Sequence, residues 1–332
     1  MRGTPGLSSL IESFFTERLL CQRRASPQTV ASYRDAFRLL LQFARDLLGK
    51  APSSLDVADL DAPLVVAFLA HLEKERGNSI RTRNTRLAAI HSFFRYIELE
   101  DPAHSAVIQR VLAVPAKRCS RRPVGFLGRV EMDALLGAPD VSSWAGRRDV
   151  TLLHVALQTG LRVSELVGLK CHDVKLGPGA HIRCDGKGRK ERCTPLRKDA
   201  VTALRSWLKE HALGPSAPLF PNARGGVLSR DGVEYLLKKH VKTARRSCAS
   251  LRGRRISPHV LRHSAAMELL HSGVDCSVIA LWLGHESIET THIYLDASVE
   301  LKERALAKTT PIGVRPGRYR PSDRLLAFLN EL

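Results

Sequence analysis

Apolar positions recur every three or four residues over most of this chain, the period of an amphipathic helix. From Leu7 to about Leu112 the pattern breaks only at turns. Ser26 and Pro27 read as an N-cap and a first helical residue, after which Val30, Tyr33, Phe37, Leu40, Leu41, Ala44 and Leu48 share a face up to Gly49. A second helix is predicted over 64–75, stopping at Gly77, and a third over 79–99 with Leu87, Ile90, Phe94 and Ile97 on its apolar side. With a short helix at each end, residues 1–113 make an all-helical domain.

The pattern stops at VPAKRCSRRPVGF, residues 114–126, where prolines and four cations with no acid predict an extended basic linker. A second domain, 127–310, opens with helices over 129–136 and 146–158, then a break at Gly160 and a short helix on which Arg162 and Glu165 share a face. Next, turn signals at 177–179 and 186–188 separate three short strands, and Lys187 sits on the second turn between two glycines. Helical periodicity resumes over 198–211, 230–246, 258–272, 275–283, 287–295 and 298–307. The predicted fold class is therefore mainly α with a small antiparallel β-sheet. A tail, 311–332, ends in SDRLLAFLNEL, a short amphipathic helix capped by Ser322. A helix that short is marginal alone and is expected to dock, on its own domain or on a neighbouring protomer.

Charge narrows the function. In 332 residues, 52 Lys+Arg against 33 Asp+Glu give a formal charge of +19, which calls for a polyanionic partner, nucleic acid first. The hydrophobic share of 44% is ordinary for a globular chain. No apolar run approaches the ~20 residues that span a bilayer, and the cations do not collect on one amphipathic helix. The N-terminus lacks the order of a signal peptide, so a cytoplasmic protein is expected. Seven scattered cysteines without a C-x-x-C pair argue against a disulfide framework and against a zinc site.

Three groups of cations are candidates for phosphate contact. Arg81, Arg83 and Arg86 crowd the start of a helix, where the dipole favours anions and a DNA groove would supply one. Lys117, Arg118, Arg121 and Arg122 would lay the linker across the phosphate backbone and hold the two domains as a clamp. Lys238, Lys239, Lys242, Arg245 and Arg246 begin an acid-free stretch that reads as a second phosphate-facing surface. A solvated face is the plain alternative for the first of these groups.

Four segments carry the chemistry: TGLRVSEL, DGKGRKER, SPHVLRHS and LGHESIETTHIY. In their order and spacing they resemble the conserved boxes of the tyrosine recombinases, the phage-integrase family that includes the Xer-type resolvases. The residues agree with what the resemblance implies. A phosphodiester under attack gathers negative charge on its non-bridging oxygens, so fixed cations and donors aimed there stabilise it. Arg162 and Arg262 suit that task as permanently charged forks, and His285 can add a donor. His259, one turn before Arg262, can donate to the phosphate or accept a proton. Tyr294 is the expected nucleophile; cationic surroundings would have to favour its phenolate. Lys187 is of the type to protonate the leaving 5′-oxygen, and the resemblance implies that role. Glu165 is expected to orient Arg162 or the histidines, with an exposed helix carboxylate as the plain alternative. His263 reads as structural, and the plain alternative for Lys187, among Arg189, Lys190 and Arg192, is one of several solvated turn cations.

The expected activity is cleavage and rejoining of DNA through a 3′-phosphotyrosyl link, with no metal and no cofactor. Double-stranded DNA is the expected partner, with a homo-tetramer on DNA during synapsis and no membrane contact. Two rivals stand beside this reading. A type IB topoisomerase would use the same chemistry without exchanging partners. MELLHSGVDCSVIALWLGH could pass for the helix-turn-helix of a regulator, which would leave Tyr294, Lys187 and Arg162 unexplained.

Overall fold

A computed structural model of the chain describes residues 6–98, 100–119, 125–185, 191–211, 214–285, and 287, 290, 291 and 294. Lys187, Arg121, Arg122 and the tail over 311–332 lie outside the described residues, as do most of the helices expected over 287–307. Contacts divide the chain into two units, Met1–Arg121 and Arg122–Leu332.

Every described element of the first unit is helical. Helix α1 (Leu7–Ser13) runs on into π-helical turns over Phe14–Gln22. Helix α2 (Pro27–Leu48) starts where the Ser26 hydroxyl accepts from Thr29 N–H at 3.2 Å, and ends at Gly49, whose positive φ of 67° suits a residue without Cβ. Helices α3 (Ala62–Lys74) and α4 (Ile80–Ile97) follow, the second capped by Ser79, and α5 (Ser105–Leu112) closes the unit. Phe14, Phe37, Leu40, Phe68, Phe93, Phe94 and Ile97 fill the core, and Phe37, Leu40, Phe94 and Ile97 among them were on the apolar faces read from the sequence.

Two of the expected phosphate contacts have partners within the chain, Arg83 in the interior and Lys117 at the surface. Arg83 is buried, and its Nη1 donates to Asn84 Oδ1 at 2.9 Å and to the Pro115 carbonyl at 3.1 Å. Lys117 pairs with Glu73 at 2.6 Å, and its backbone exchanges hydrogen bonds with the Asn84 amide. The first residues of the predicted linker are thus fastened to α4 rather than free. Arg83 is a packing group rather than a groove-facing one, because a buried guanidinium must satisfy its donors within the protein. Arg81 and Arg118 are exposed and Arg86 is half-buried.

The second unit carries α6 (Arg129–Leu136), α7 (Trp144–Thr159) and the short α8 (Val163–Gly168). Strands β1 (Val174–Lys175), β2 (His181–Asp185) and β3 (Glu191–Pro195) form an antiparallel sheet in the order β1-β2-β3. Cys184 pairs with Arg192 and Asp185 with Glu191, so β2 and β3 flank residues 186–190. Helices α9 (Lys198–His211), α10 (Arg230–Ala244), α11 (Pro258–His271) and α12 (Cys276–Leu283) complete the described elements.

Helix α7 is buried along most of its length and packs on both α9 and α11. Its one deeply buried ionic group is closed on all sides: Asp149 accepts from the Arg148 guanidinium and lies 2.7 Å from His240 Nε2 on α10. Such a group is costly to break but fixes where α7 lies. On α10, Lys238, Lys239 and Lys242 are exposed, as is Arg246 in the turn that follows, whereas Arg245 is half-buried and donates to the carbonyls of Leu251 and Arg254. Arg245 therefore closes the loop after α10 instead of adding to the cationic face.

Candidate active site

Three chain breaks bring the site together: the end of α7, the start of α11 and the end of α12. Helix α7 ends at Gly160 with φ 62°, and an added Cβ there would lie 2.6 Å from Leu283 Cδ2. Glycine thus lets α12 approach the α7–α8 turn closely. Helix α12 ends at Gly284, again left-handed, leaving the Leu283 and Gly284 carbonyls facing this turn.

Both arginines are anchored on those carbonyls. Arg162, the N-cap of α8, donates through Nη2 to Gly284 O at 3.0 Å and through Nη1 to Glu165 Oε1 at 2.9 Å. Arg262, on α11 and 5% exposed, donates to Gly160 O at 2.6 Å and Leu283 O at 2.8 Å. Burial, reinforced by the neighbouring Arg162, brings the Arg262 pKa down to about 10, so it is still a cation at neutral pH. Arg162 has Glu165 as a counter-charge, whereas Arg262 rests on neutral carbonyls alone, so the two guanidiniums keep a positive charge that an anion from outside can balance.

Glu165 is buried and saturated. Its carboxylate accepts from Arg162 N–H at 2.7 Å, from Arg162 Nη1, and from both ends of the Arg192 fork at 3.1 and 2.7 Å. Burial works against its charge, but these donors outweigh burial and hold its pKa below the ordinary value. It is no exposed helix carboxylate. Arg192, named in the sequence only as one of the cations around Lys187, is no solvated one: its side chain is only 11% exposed.

Tyr294 is 1% exposed and lies among Ala266, Met267, Leu270, Ile279 and Leu283. Its hydroxyl is 3.0 Å from His263 Nδ1, and its ring stacks on His285 with centroids 6.4 Å apart. His285 Nδ1 lies 2.8 Å from the Thr291 hydroxyl. Burial raises the tyrosine pKa and exceeds the opposing pull of Arg262 and Arg162. The surroundings therefore favour the neutral phenol, where the sequence led us to expect help for the phenolate. His259 is exposed in the first turn of α11.

Arg162, Glu165, Arg262, His285 and Tyr294 thus converge, His259 stands at the exposed start of α11, and Lys187 lies outside the described residues. Sequence reasoning missed His263 and Arg192 as neighbours of the site. For His263 a signal existed in its position next to Arg262, but helical spacing alone turned it away. For Arg192, no local feature separates a buried fork from the cations around it.

Two half-buried histidines of the site, His263 and His285, give a pH prediction. Burial, with Arg262 and other nearby charge, brings both His263 and His285 down to about 4. An unfolded histidine titrates near ~6.5. Between those values the unfolded chain binds protons that the folded chain refuses, so stability falls as pH drops from about 6.5 toward about 4. Thermal melts across that window should show a falling midpoint, and His263→Gln should lessen its slope.

With the geometry in view, comparison with known proteins defines the class. The sequence matches the Phage integrase family over residues 126–300 and the N-terminal SAM-like domain of phage integrases over 12–101. The y4rC protein of Sinorhizobium fredii, named as an integrase/recombinase, is 58% identical over 326 residues, covering 98% of each chain. Tyrosine recombinase XerC of Pelotomaculum thermopropionicum is 34% identical over 90% of this chain and 96% of its own. Among solved structures, a XerH site-specific recombinase bound to a palindromic difH substrate in a post-cleavage complex shares the fold. It has a TM-score of 0.69 at 23% identity, over 86% of this chain and 81% of that one. The chain belongs to the phage integrase family, the tyrosine recombinases, and is an enzyme of site-specific DNA recombination.

Proposed function

We propose that the protein cleaves and rejoins double-stranded DNA through a 3′-phosphotyrosyl intermediate, with Tyr294 as nucleophile. The observation that carries this reading is the convergence of Arg162 and Arg262 on the end of α12, beside Tyr294 and His285. The scissile phosphate takes the place of the missing anion, its non-bridging oxygens facing the two arginines and His285. Tyr294 leaves its buried position, its oxygen bonds to phosphorus, and the bond from phosphorus to the 5′-oxygen breaks. The phenolic proton passes to His259, and Lys187 protonates the departing 5′-oxygen. Each phosphodiester lost is replaced by a phosphotyrosyl ester, so resealing needs no external energy source, and the scheme uses neither metal nor cofactor.

Arg81, Arg86, Arg118, Arg121, Arg122, Lys238, Lys239, Lys242 and Arg246 carry the backbone contacts in this scheme, and four protomers assemble on paired sites in the cytoplasm. The tail over 311–332 docks on a neighbouring protomer. Partner exchange distinguishes this from a topoisomerase, and the named relatives are integrases and recombinases.

The polarity of the product tests the scheme. DNA held covalently by the protein in cells is recovered and sequenced, and a synthetic duplex of that sequence is nicked near the cleavage point so that the product cannot reseal. The expected product carries protein on a 3′-phosphate and leaves a free 5′-hydroxyl, in the presence of a chelator. A 5′-linked product, or cleavage that stops when divalent ions are removed, contradicts the scheme.

A further inference from the structure

We infer that Arg192 is a positioning residue for strand cleavage: by sharing Glu165 with Arg162, it fixes the Arg162 guanidinium and leaves its positive charge available to the phosphate. The inference rests on the proposed phosphate-binding role of Arg162. Its basis is the four-bonded Glu165 carboxylate. Oε1 accepts from Arg162 Nη1 at 2.9 Å and Arg192 Nη1 at 3.1 Å, and Oε2 accepts from Arg162 N–H and Arg192 Nη2, both at 2.7 Å. Glu165 and Arg192 side chains are 5% and 11% exposed, so solvent screens this pair little.

Charge accounting shows why a second arginine matters. Arg162 and Glu165 alone form a neutral pair, and a neutral pair is a poor partner for a phosphate that gains charge in the transition state. Adding Arg192 restores one net positive charge to the group. Geometry gives it a second effect. Among the described residues Glu165 is the only acceptor of the Arg192 fork, and a bidentate fork fixes orientation as a lysine would not. A carboxylate held on the Arg192 side cannot rotate away from Arg162.

Arg192 also touches the second anchor of Arg162. A Cβ built on Gly284 would lie 2.7 Å from Arg192 Nη1, so Arg192 packs directly on the residue whose carbonyl accepts from Arg162 Nη2. Both partners of Arg162 are thus in contact with one side chain, supplied by β3. Misplacing a transition-state contact by about 1 Å can cost about 10²-fold in rate.

The test measures single-turnover cleavage of the nicked duplex at saturating DNA, beside DNA affinity and thermal melting, for the full-length protein. Arg192→Met is expected to cleave about 10²-fold more slowly with DNA affinity within about threefold of wild type. Two variants should recover at least about tenfold of that loss. Arg192→Lys restores the charge, and Arg192→Met combined with Glu165→Gln removes the anion that Arg192 had balanced. Recovery of cleavage that exceeds any recovery of the melting temperature is a result that a purely structural role does not give. If Arg192→Met does not fold, Arg192→Gln, neutral but still able to donate to Glu165, takes its place in both comparisons. Arg192→Met cleaving within about threefold of wild type, or a loss that neither second variant relieves, overturns the inference. Arg162→Ala serves as the control. Wild-type cleavage by Arg162→Ala would instead overturn the phosphate-binding role proposed for that residue.

Discussion

Arg262→Ala is expected to lose strand cleavage by about 10³-fold while keeping most of its affinity for DNA. The separation follows from where the residue sits. Arg262 is 5% exposed and held on Gly160 O and Leu283 O, so it faces one position rather than an extended groove. Affinity for duplex DNA comes from many backbone contacts, of which one phosphate is a small share. The loss at that phosphate is large because the cation acts in a water-poor site where its field is little screened. The substitution also orphans two carbonyls, each costing about 1–3 kcal/mol if left unpaired. Arg262→Lys separates the two effects. It keeps a charge but loses the fork, so it should melt nearer to wild type than Arg262→Ala and still cleave poorly. Single-turnover cleavage and binding at one fixed salt concentration check the prediction. Parallel loss of both would assign Arg262 to folding or binding.

The second large effect belongs to Tyr294. Tyr294→Phe should abolish cleavage, because no other group then replaces the attacking oxygen, and should leave DNA binding intact. The fold should tolerate the change. The ring remains in its pocket among Met267, Leu270, Ile279 and Leu283, and only the hydroxyl that lies 3.0 Å from His263 is lost. A single such hydrogen bond is worth about 1 kcal/mol net. A small shift in melting temperature with complete loss of cleavage is therefore the expected pair of results. The buried phenol adds a kinetic expectation. Tyr294 is 1% exposed, so free protein should react slowly with phenol-directed reagents, and DNA binding should change that reactivity.

Much of the fold was legible because it rests on local rules. Ser26 caps the helix it was expected to cap, and Gly49 and Gly160 end helices in left-handed geometry. Turn glycines marked the small three-stranded sheet in the same way. The site was legible where side chains lie a helical turn apart, as Arg162 and Glu165 do. It was not legible where partners come from distant elements. Nothing local to Arg192 says that its fork closes on Glu165, 27 positions earlier. Nothing near Arg83 or Arg245 says that these arginines serve carbonyls of the chain instead of a polyanion. Counting cations gave the partner class correctly, and could not sort packing arginines from surface ones, because burial is a property of the whole fold.

The central claim is that one tyrosine forms the covalent bond to DNA. It is tested most directly by trapping the full-length protein on the nicked duplex, digesting the complex, and locating the nucleotide adduct by mass spectrometry. The account predicts one modified peptide, with the adduct on Tyr294, and no adduct from Tyr294→Phe. An adduct on any other residue, or one that survives Tyr294→Phe, would contradict it.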